Sequence, residues 1–236
     1  MNANISGQQP KSDIARAIRK RFVQVIGQFL LIAAILFIAS GRLDWVWAWA
    51  YIAMGVGLLL INAFVMPPEL IAERGEPKEG IKGWDRLITS LLIITGLAIF
   101  IMVGLDERFG WSPQLAPAIH IAALVVTALA QLFFTWAMVA NKFFSTAVRI
   151  QIDRGHTVAT GGPYRYVRHP GYAAISVTWF AVSLALGSLW AFIPAGISLS
   201  LYIVRTALED RTLQDELEGY KEYAQRVRYR LLPGVW

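Results

Sequence analysis

GYAAISVTWFAVSLALGSLWAFIPAGISLSLYIV, residues 171–204, runs for 34 residues without one Asp, Glu, Lys or Arg. At about 1.5 Å per residue a straight helix of this length is far too long for one crossing of a roughly 30 Å hydrocarbon core and slightly short for two. Gly187-Ser188 stands at its middle and Pro194 lies further on. These residues predict a tight helical hairpin whose arms each span a thin or locally pinched core. Earlier in the chain, Phe22–Ser40, Trp45–Met66 and Leu87–Leu105 are also free of charge, and Phe109–Lys142 encloses a fourth apolar block. Each is long enough to cross, and helix is the economical choice because lipid offers the backbone no hydrogen-bond partners. The expectation is an all-α polytopic membrane helix bundle of about six membrane segments. It reads as one membrane domain, 1–236, with four transmembrane helices within 22–140 and a distinct region, 141–236, around the hairpin 171–204.

Composition agrees, with 56% hydrophobic and 16% charged residues against roughly 25% charged in a soluble domain. The six-segment reading puts twenty of the 22 Lys and Arg on one side, leaving Arg42 and Arg108 on the other. Such asymmetry predicts that both termini are cytoplasmic. A single long helix over 171–204 would send the last six basic residues outside, so the hairpin is preferred. The net charge of +6 is then a topology signal, and no nucleic-acid partner is expected. Lys11, Arg16, Arg19, Lys20 and Arg21 before the first block resemble a signal peptide, but no small-residue cleavage site follows, so that block reads as a retained helix. The absence of cysteine removes thiolate nucleophiles and Cys-ligated metals, and no metal site is expected.

Groups able to do chemistry gather late in the chain. His120 and Asn62 are lone polar residues in apolar blocks and read as helix–helix hydrogen-bonding groups. Pro67–Arg86 mixes both charge signs with Gly and Pro and reads mostly as a solvated connection, one that could also cover a site. The stretch 149–172, RIQIDRGHTVATGGPYRYVRHPGY, lies at the membrane surface. Alternation over Val148–Asp153 suggests a short extended piece, and Gly161-Gly162-Pro163 breaks regular structure. Pro170 pushes His169 out of the helical region and suits the first turn of the next helix. His169 therefore sits beside a helix N-terminus, with Tyr164, Tyr166 and Tyr172 around it. Free N–H groups there favour an anion such as a carboxylate. In RTALED, 205–210, Arg205 and Glu209 are spaced i and i+4 on one face. The bland alternatives are an interfacial anchor for the first stretch and a surface ion pair worth a few tenths of a kcal/mol for the second. The tail Leu213–Trp236 is amphipathic and is expected along the interface, where it could cap a site.

The order H-T-V-A-T-G-G-P-Y-x-x-x-R-H-P-x-Y, a helical hairpin, R-x-x-x-E-[DE] and G-Y-x-x-Y resembles the isoprenylcysteine carboxyl methyltransferase family over about residues 149–233. The related phospholipid N-methyltransferases look similar over the same region. The resemblance implies an S-adenosyl-L-methionine-dependent methyltransferase acting on a lipid-like or isoprenoid-like amphiphile, with a cytoplasmic cofactor pocket. It implies that His156, Thr157, Val158 and Ala159 wall the cofactor, with Tyr164 against it. His169, Pro170, Gly171 and Tyr172 would form the turn that holds it, and Glu209 would complete the pocket. Arg205 matches a substrate-binding position, so Arg205 and Glu209 are the candidate catalytic residues. Two departures stand out: Arg149 occupies a position where some members have Gln, and the acidic pair is Glu209-Asp210 in place of two Glu.

The runner-up enzyme is a sterol-type membrane reductase using NADPH, whose related turn is Arg-His-x-Asn-Tyr. Gly171 stands where that Asn would be. A non-catalytic membrane protein that kept the fold is the third reading. The partners expected are the lipid bilayer and an amphiphilic small molecule.

Overall fold

The computed structural model describes residues 11–75 and 80–236. Lys78, one of the basic residues weighed above, lies outside them, as does the Lys11 side chain. Among the described residues eight α-helices follow in order: α1 (Lys11–Ser40), α2 (Val46–Val65), α3 (Pro68–Gly75), α4 (Gly83–Phe109), α5 (Pro117–Val139), α6 (Pro170–Ala185), α7 (Phe192–Glu216) and α8 (Tyr220–Arg226). No strand occurs among the described residues. Helices α1, α2, α4, α5 and α7 are long and apolar enough to cross a membrane, and α6 is a shorter apolar helix. The protein is therefore an integral membrane helix bundle.

The outer helices bury little and rely on lipid as solvent. Phe64 is 88% exposed and Ile38 75%, an arrangement tolerable only where the surroundings are apolar. The core sits where α1, α2, α4, α6 and α7 meet, around Leu36, Ala48, Ile99, Val103, Val182 and Ala195.

The charge-free stretch folds as the predicted hairpin, with unequal arms. At 1.5 Å per residue α6 is about 24 Å long and α7 about 37 Å. The short arm is wholly free of charge, and the long one continues through Arg205–Asp210 to Glu216. Ser183, Ser188 and Asp106 fasten the turn: Ser188 Oγ donates to Asp106 Oδ2 at 2.5 Å, and Ser112 Oγ donates to the same oxygen at 2.6 Å. His120 and Asn62 serve as helix–helix groups. His120 Nδ1 lies 2.9 Å from the Ala185 carbonyl with its ring stacked on Trp47, and Asn62 Oδ1 accepts from Thr135 Oγ1 at 2.7 Å.

Two local expectations need correcting. Residues 152–154 form a 3-10 turn closed by Gly155 in the left-handed region, in place of an extended piece. The 67–86 connection is not merely solvated: α3 buries Leu70, Ile71, Ala72 and Gly75 against α1. A Cβ on Gly75 would stand 2.6 Å from the Ala17 carbonyl oxygen, so only glycine permits that approach.

One polar end of the bundle is laced together across distant sequence. Lys82 Nζ donates to Glu216 at 2.7 Å, the Lys82 N–H to the Val148 carbonyl at 3.2 Å, and Arg149 pairs with Glu73 at 3.5 Å. The opposite end holds Arg42 with Glu107 and the Asp106 cluster. The chain crosses so that residues 66–75 and 80–82, the 140–169 connection and α8 share the first end.

Candidate active site

The connection between α5 and α6 is 30 residues without long secondary structure, yet much of it is buried, so its backbone must find partners locally. Gln151 supplies some. Its Nε2 donates to the Phe143 carbonyl at 2.6 Å, and its Oε1 accepts from Arg154 Nη1 at 2.5 Å. Gly162 opens a second 3-10 turn, 162–165, with Pro163 next. Its φ of +54° and a virtual Cβ 2.9 Å from Ala140 Cβ both demand glycine. That turn sets Tyr164 against the end of α5, where Tyr223 Oη donates to the Tyr164 carbonyl at 2.8 Å.

His169 lies at the N-cap of α6 with non-helical backbone, and Pro170 begins the helix. The chain leading into α6 is held by the tail: Arg168 and His169 N–H groups donate to the Tyr229 and Arg230 carbonyls, each at 2.9 Å. The tail thus folds back over the site, with Tyr220, Tyr223 and Leu231 buried. The helix end offers an anion little. Tyr172 and Ala173 N–H already donate to the His169 carbonyl, and Gly171 is buried.

The hairpin brings the two candidate clusters together. Tyr172 Oη donates to Glu209 Oε2 at 2.5 Å, and His169 Nε2 lies 3.3 Å from Asp210 Oδ1. Asp210, fully buried, is a hub. Arg168 grips it with Nε at 2.7 Å and Nη2 at 2.9 Å; Tyr220 Oη, Gln214 Nε2 and Arg230 Nε add 3.0, 2.9 and 3.0 Å. The remaining Arg168 nitrogen donates to the Val227 and Arg228 carbonyls. Such a saturated carboxylate ties α6, α7, α8 and the tail into one unit.

Arg205 and Glu209 share a face, but they are not an ion pair. Arg205 Nε donates to Asp85 Oδ1 at 2.8 Å and Nη2 to the Thr146 carbonyl at 3.1 Å. Asp85 Oδ2 accepts the Val148 N–H at 2.8 Å. The Arg205 guanidinium lies 5.2 Å from the Tyr172 ring centroid, within cation–π range. Glu209 keeps Tyr172 as its partner and is half-buried.

These groups enclose a cavity of about 250 Å³. His156, Thr157, Val158, Ala159, Tyr164, His169, Gly171, Tyr172, Arg205 and Glu209 all line it, while Pro170 is buried behind as the first residue of α6. Sequence reasoning did not single out Phe143 and Phe144, Gln151, Tyr220 and Tyr223, which also face it; the G-Y-x-x-Y spacing was the available signal for the two tyrosines. Gly171 is required by the wall itself, since a Cβ there would lie 2.9 Å from the Phe144 ring. Arg149 pairs with Asp153 at 2.8 Å as well as with Glu73.

The electrostatics favour neutral donors around a carboxylate. Burial, with the charges of Arg149 and Arg154, lowers His156 to about 4, so it is neutral near pH 7. Its Nδ1 accepts the Gln151 N–H at 3.3 Å, which leaves the proton on Nε2. Burial pushes the phenols of Tyr164, Tyr220 and Tyr223 up, Tyr220 further because of Asp210, so they remain O–H donors. No cluster of His, Asp or Glu suited to a metal ion exists among the described residues.

No curated protein matches the chain. Residues 121–215 match the model of the Isoprenylcysteine carboxyl methyltransferase (ICMT) family. The match begins inside α5, earlier than the resemblance read from motifs, and ends near the end of α7, before Gly219. It spans both sides of the cavity, from the 156–172 wall to Glu209. Over that segment, less than half of its length, the chain is similar to the isoprenylcysteine carboxyl methyltransferase family, a family of membrane methyltransferases.

Proposed function

We propose that the protein transfers a methyl group from S-adenosyl-L-methionine to a lipid-like or isoprenoid-like amphiphile, at a site on the cytoplasmic face of a single membrane domain. The observation that carries this reading is the convergence of His156–Ala159, Tyr164, His169–Tyr172 and Glu209 on one cavity within the family-matched segment. The donor set suits the cofactor. A sulfonium taken from water needs a carboxylate or an aromatic face, and Glu209 with Tyr172 and the other tyrosines provides both kinds. S-adenosyl-L-methionine, when bound, supplies an electrophilic methyl group.

The protein's own part is alignment and exclusion of water. Tyr172 holds one Glu209 oxygen, leaving the other for a ligand. His156 offers Nε2–H as a neutral donor. Phe143, Phe144 and the tyrosines exclude solvent, and the Asp210 hub keeps the walls in register. Positioning of this kind contributes roughly 7–11 kcal/mol in favourable cases. Arg205, fixed by Asp85, presents its charge to the acceptor side. A carboxylate acceptor needs no base. An amine acceptor needs one, and Glu209 is better placed than His169, whose Nε2 is engaged by Asp210 and Tyr220.

Calorimetric titration of the purified protein with S-adenosyl-L-methionine and with NADPH tests the reading. Binding of the first alone is expected. Binding of NADPH alone would return the site to the reductase class, and binding of neither would favour a non-catalytic protein.

A further inference from the structure

A second cavity, about 530 Å³, lies among α1, α2, α4, α5, α6 and α7, walled by side chains such as Phe29, Leu58, Ile93 and Met138. It adjoins the first: Arg74, Phe134, Ile175, Tyr202 and Arg205 line both. An apolar cavity inside the hydrocarbon layer would ordinarily hold any acyl chain. This one carries two guanidiniums at its polar end, Arg21 from α1 and Arg74 from α3.

Arg74 is the unusual group. Its Nη1 is buried without a hydrogen-bond partner, and its guanidinium lies 5.6 Å from the Phe144 ring centroid. Other buried cations of the same end are compensated: Arg168 by Asp210, Arg205 by Asp85, Arg149 by Glu73 and Asp153. Burial, reinforced by the charge of Arg21, lowers Arg74 to about 10, still protonated at neutral pH. The close seat of Gly75 on Ala17 and Arg21 holds the two cations together where they repel. A protein keeps a buried, uncompensated charge beside a cavity at a cost in stability, which an anion entering the cavity removes. Both residues lie outside the segment matched to the family, 121–215.

We propose that Arg74, assisted by Arg21, recognises the anionic headgroup, a phosphate or carboxylate, of a long-chain amphiphile whose hydrocarbon chain fills the 530 Å³ cavity. The occupant is the methyl acceptor, a step that rests on the function proposed above; the binding itself does not. The headgroup at Arg74 lies where the two cavities meet, which directs the polar end of the amphiphile toward Arg205 and Glu209.

The test uses the full chain in neutral-lipid nanodiscs without S-adenosyl-L-methionine, titrated with dodecyl phosphate, dodecyltrimethylammonium and inorganic phosphate. Dodecyl phosphate is expected to bind and raise the melting temperature, with the other two at least tenfold weaker. Arg74→Gln is expected to weaken dodecyl phosphate at least tenfold, to raise the melting temperature of the unliganded protein, and to leave S-adenosyl-L-methionine affinity within twofold. Equal binding of the cationic amphiphile would reduce the cavity to an apolar groove, and equal binding of inorganic phosphate would make it a site for a free ion. Parallel loss of S-adenosyl-L-methionine binding would assign Arg74 to the cofactor carboxylate. Each of these overturns the proposal. Should Arg74→Gln fail to fold, a photoactivatable long-chain phosphate on the wild-type protein decides: competable labelling within 21–32 and 54–66 supports the proposal, and its absence defeats it. Failure of S-adenosyl-L-methionine to bind the wild type sinks the methyltransferase reading alone.

Discussion

Arg205 is joined to Asp85, 120 residues earlier in the chain, by a 2.8 Å hydrogen bond from Nε to Oδ1, and not to Glu209 one turn away. Asp85 is 1% exposed, so removing either partner leaves a buried, uncompensated charge. Arg205→Gln alone should cost about 3–5 kcal/mol of stability. The double change Asp85→Asn with Arg205→Gln should recover a large part of it, because both charges go together. Denaturation in a mild detergent checks this; an additive double variant would mean the pair is energetically idle.

Asp210 carries a comparable load. Arg168 and Arg230 both rely on it, and Tyr220 and Gln214 donate to it. Asp210→Asn keeps the volume but leaves Arg168 buried without a counter-charge, with a loss of about 3–5 kcal/mol. The tail should loosen as well, since residues 229 and 230 are held by Arg168 and His169 N–H groups. Limited proteolysis near 227–236 is expected to accelerate in this variant; unchanged cleavage would separate the hub from the tail.

The helices and the hairpin were legible because charge-free length and breaker position are local signals: Gly187-Ser188 and Pro170 mark the ends the structure shows. The cavity wall was legible through spacing, since the hairpin obliges 169–172 and 205–210 to meet. What stayed hidden was pairing across helices. Nothing near Asp85 in the sequence points to Arg205 or to Val148 N–H, and α3 looked solvated because Glu69, Glu73 and Arg74 are interleaved with its short apolar run and Pro and Gly bound it. Asp210 was visible only as a departure from two Glu, although its burial makes it the better connected of the two acids.

His156 makes stability depend on pH. Its folded pKa, about 4, lies below the unfolded value of about 6.5, so the unfolded state binds more protons between the two. The contribution is complete above about pH 6.5 and declines as pH falls toward 4. Melting temperature should therefore drop on acidification through that window, and His156→Gln should flatten that part of the profile. An unaltered profile would place the acid sensitivity elsewhere.

The basic residues predict that 67–86, 140–171 and both termini face the cytoplasm. With no native cysteine, single cysteines are clean probes. A cysteine at Thr160, exposed in the long connection, should resist a membrane-impermeant maleimide in intact cells, and one at Trp111 should react. The reverse pattern would invert the orientation.

Glu209 and Tyr172 should respond differently from Arg205 when the cofactor is the reporter. Glu209 lines the cavity and holds the Tyr172 hydroxyl at 2.5 Å, so Glu209→Gln removes the charge that would face a sulfonium. Loss of a site-buried charge partner costs about 2–5 kcal/mol, roughly thirty-fold or more in affinity for S-adenosyl-L-methionine. Tyr172→Phe keeps the carboxylate but frees its second oxygen, and a loss of a few-fold is expected, near the typical worth of one hydrogen bond. The Asp85→Asn, Arg205→Gln double variant, whose fold is preserved by the paired change, should bind the cofactor within a few-fold of the wild type and lose turnover. The separation in affinity, with the double variant and Tyr172→Phe each within a few-fold and Glu209→Gln thirty-fold or more below, follows from Arg205 serving the acceptor side and Glu209 the cofactor. Mild and equal effects at Glu209 and Tyr172 would leave the cofactor claim resting on the 156–172 segment alone.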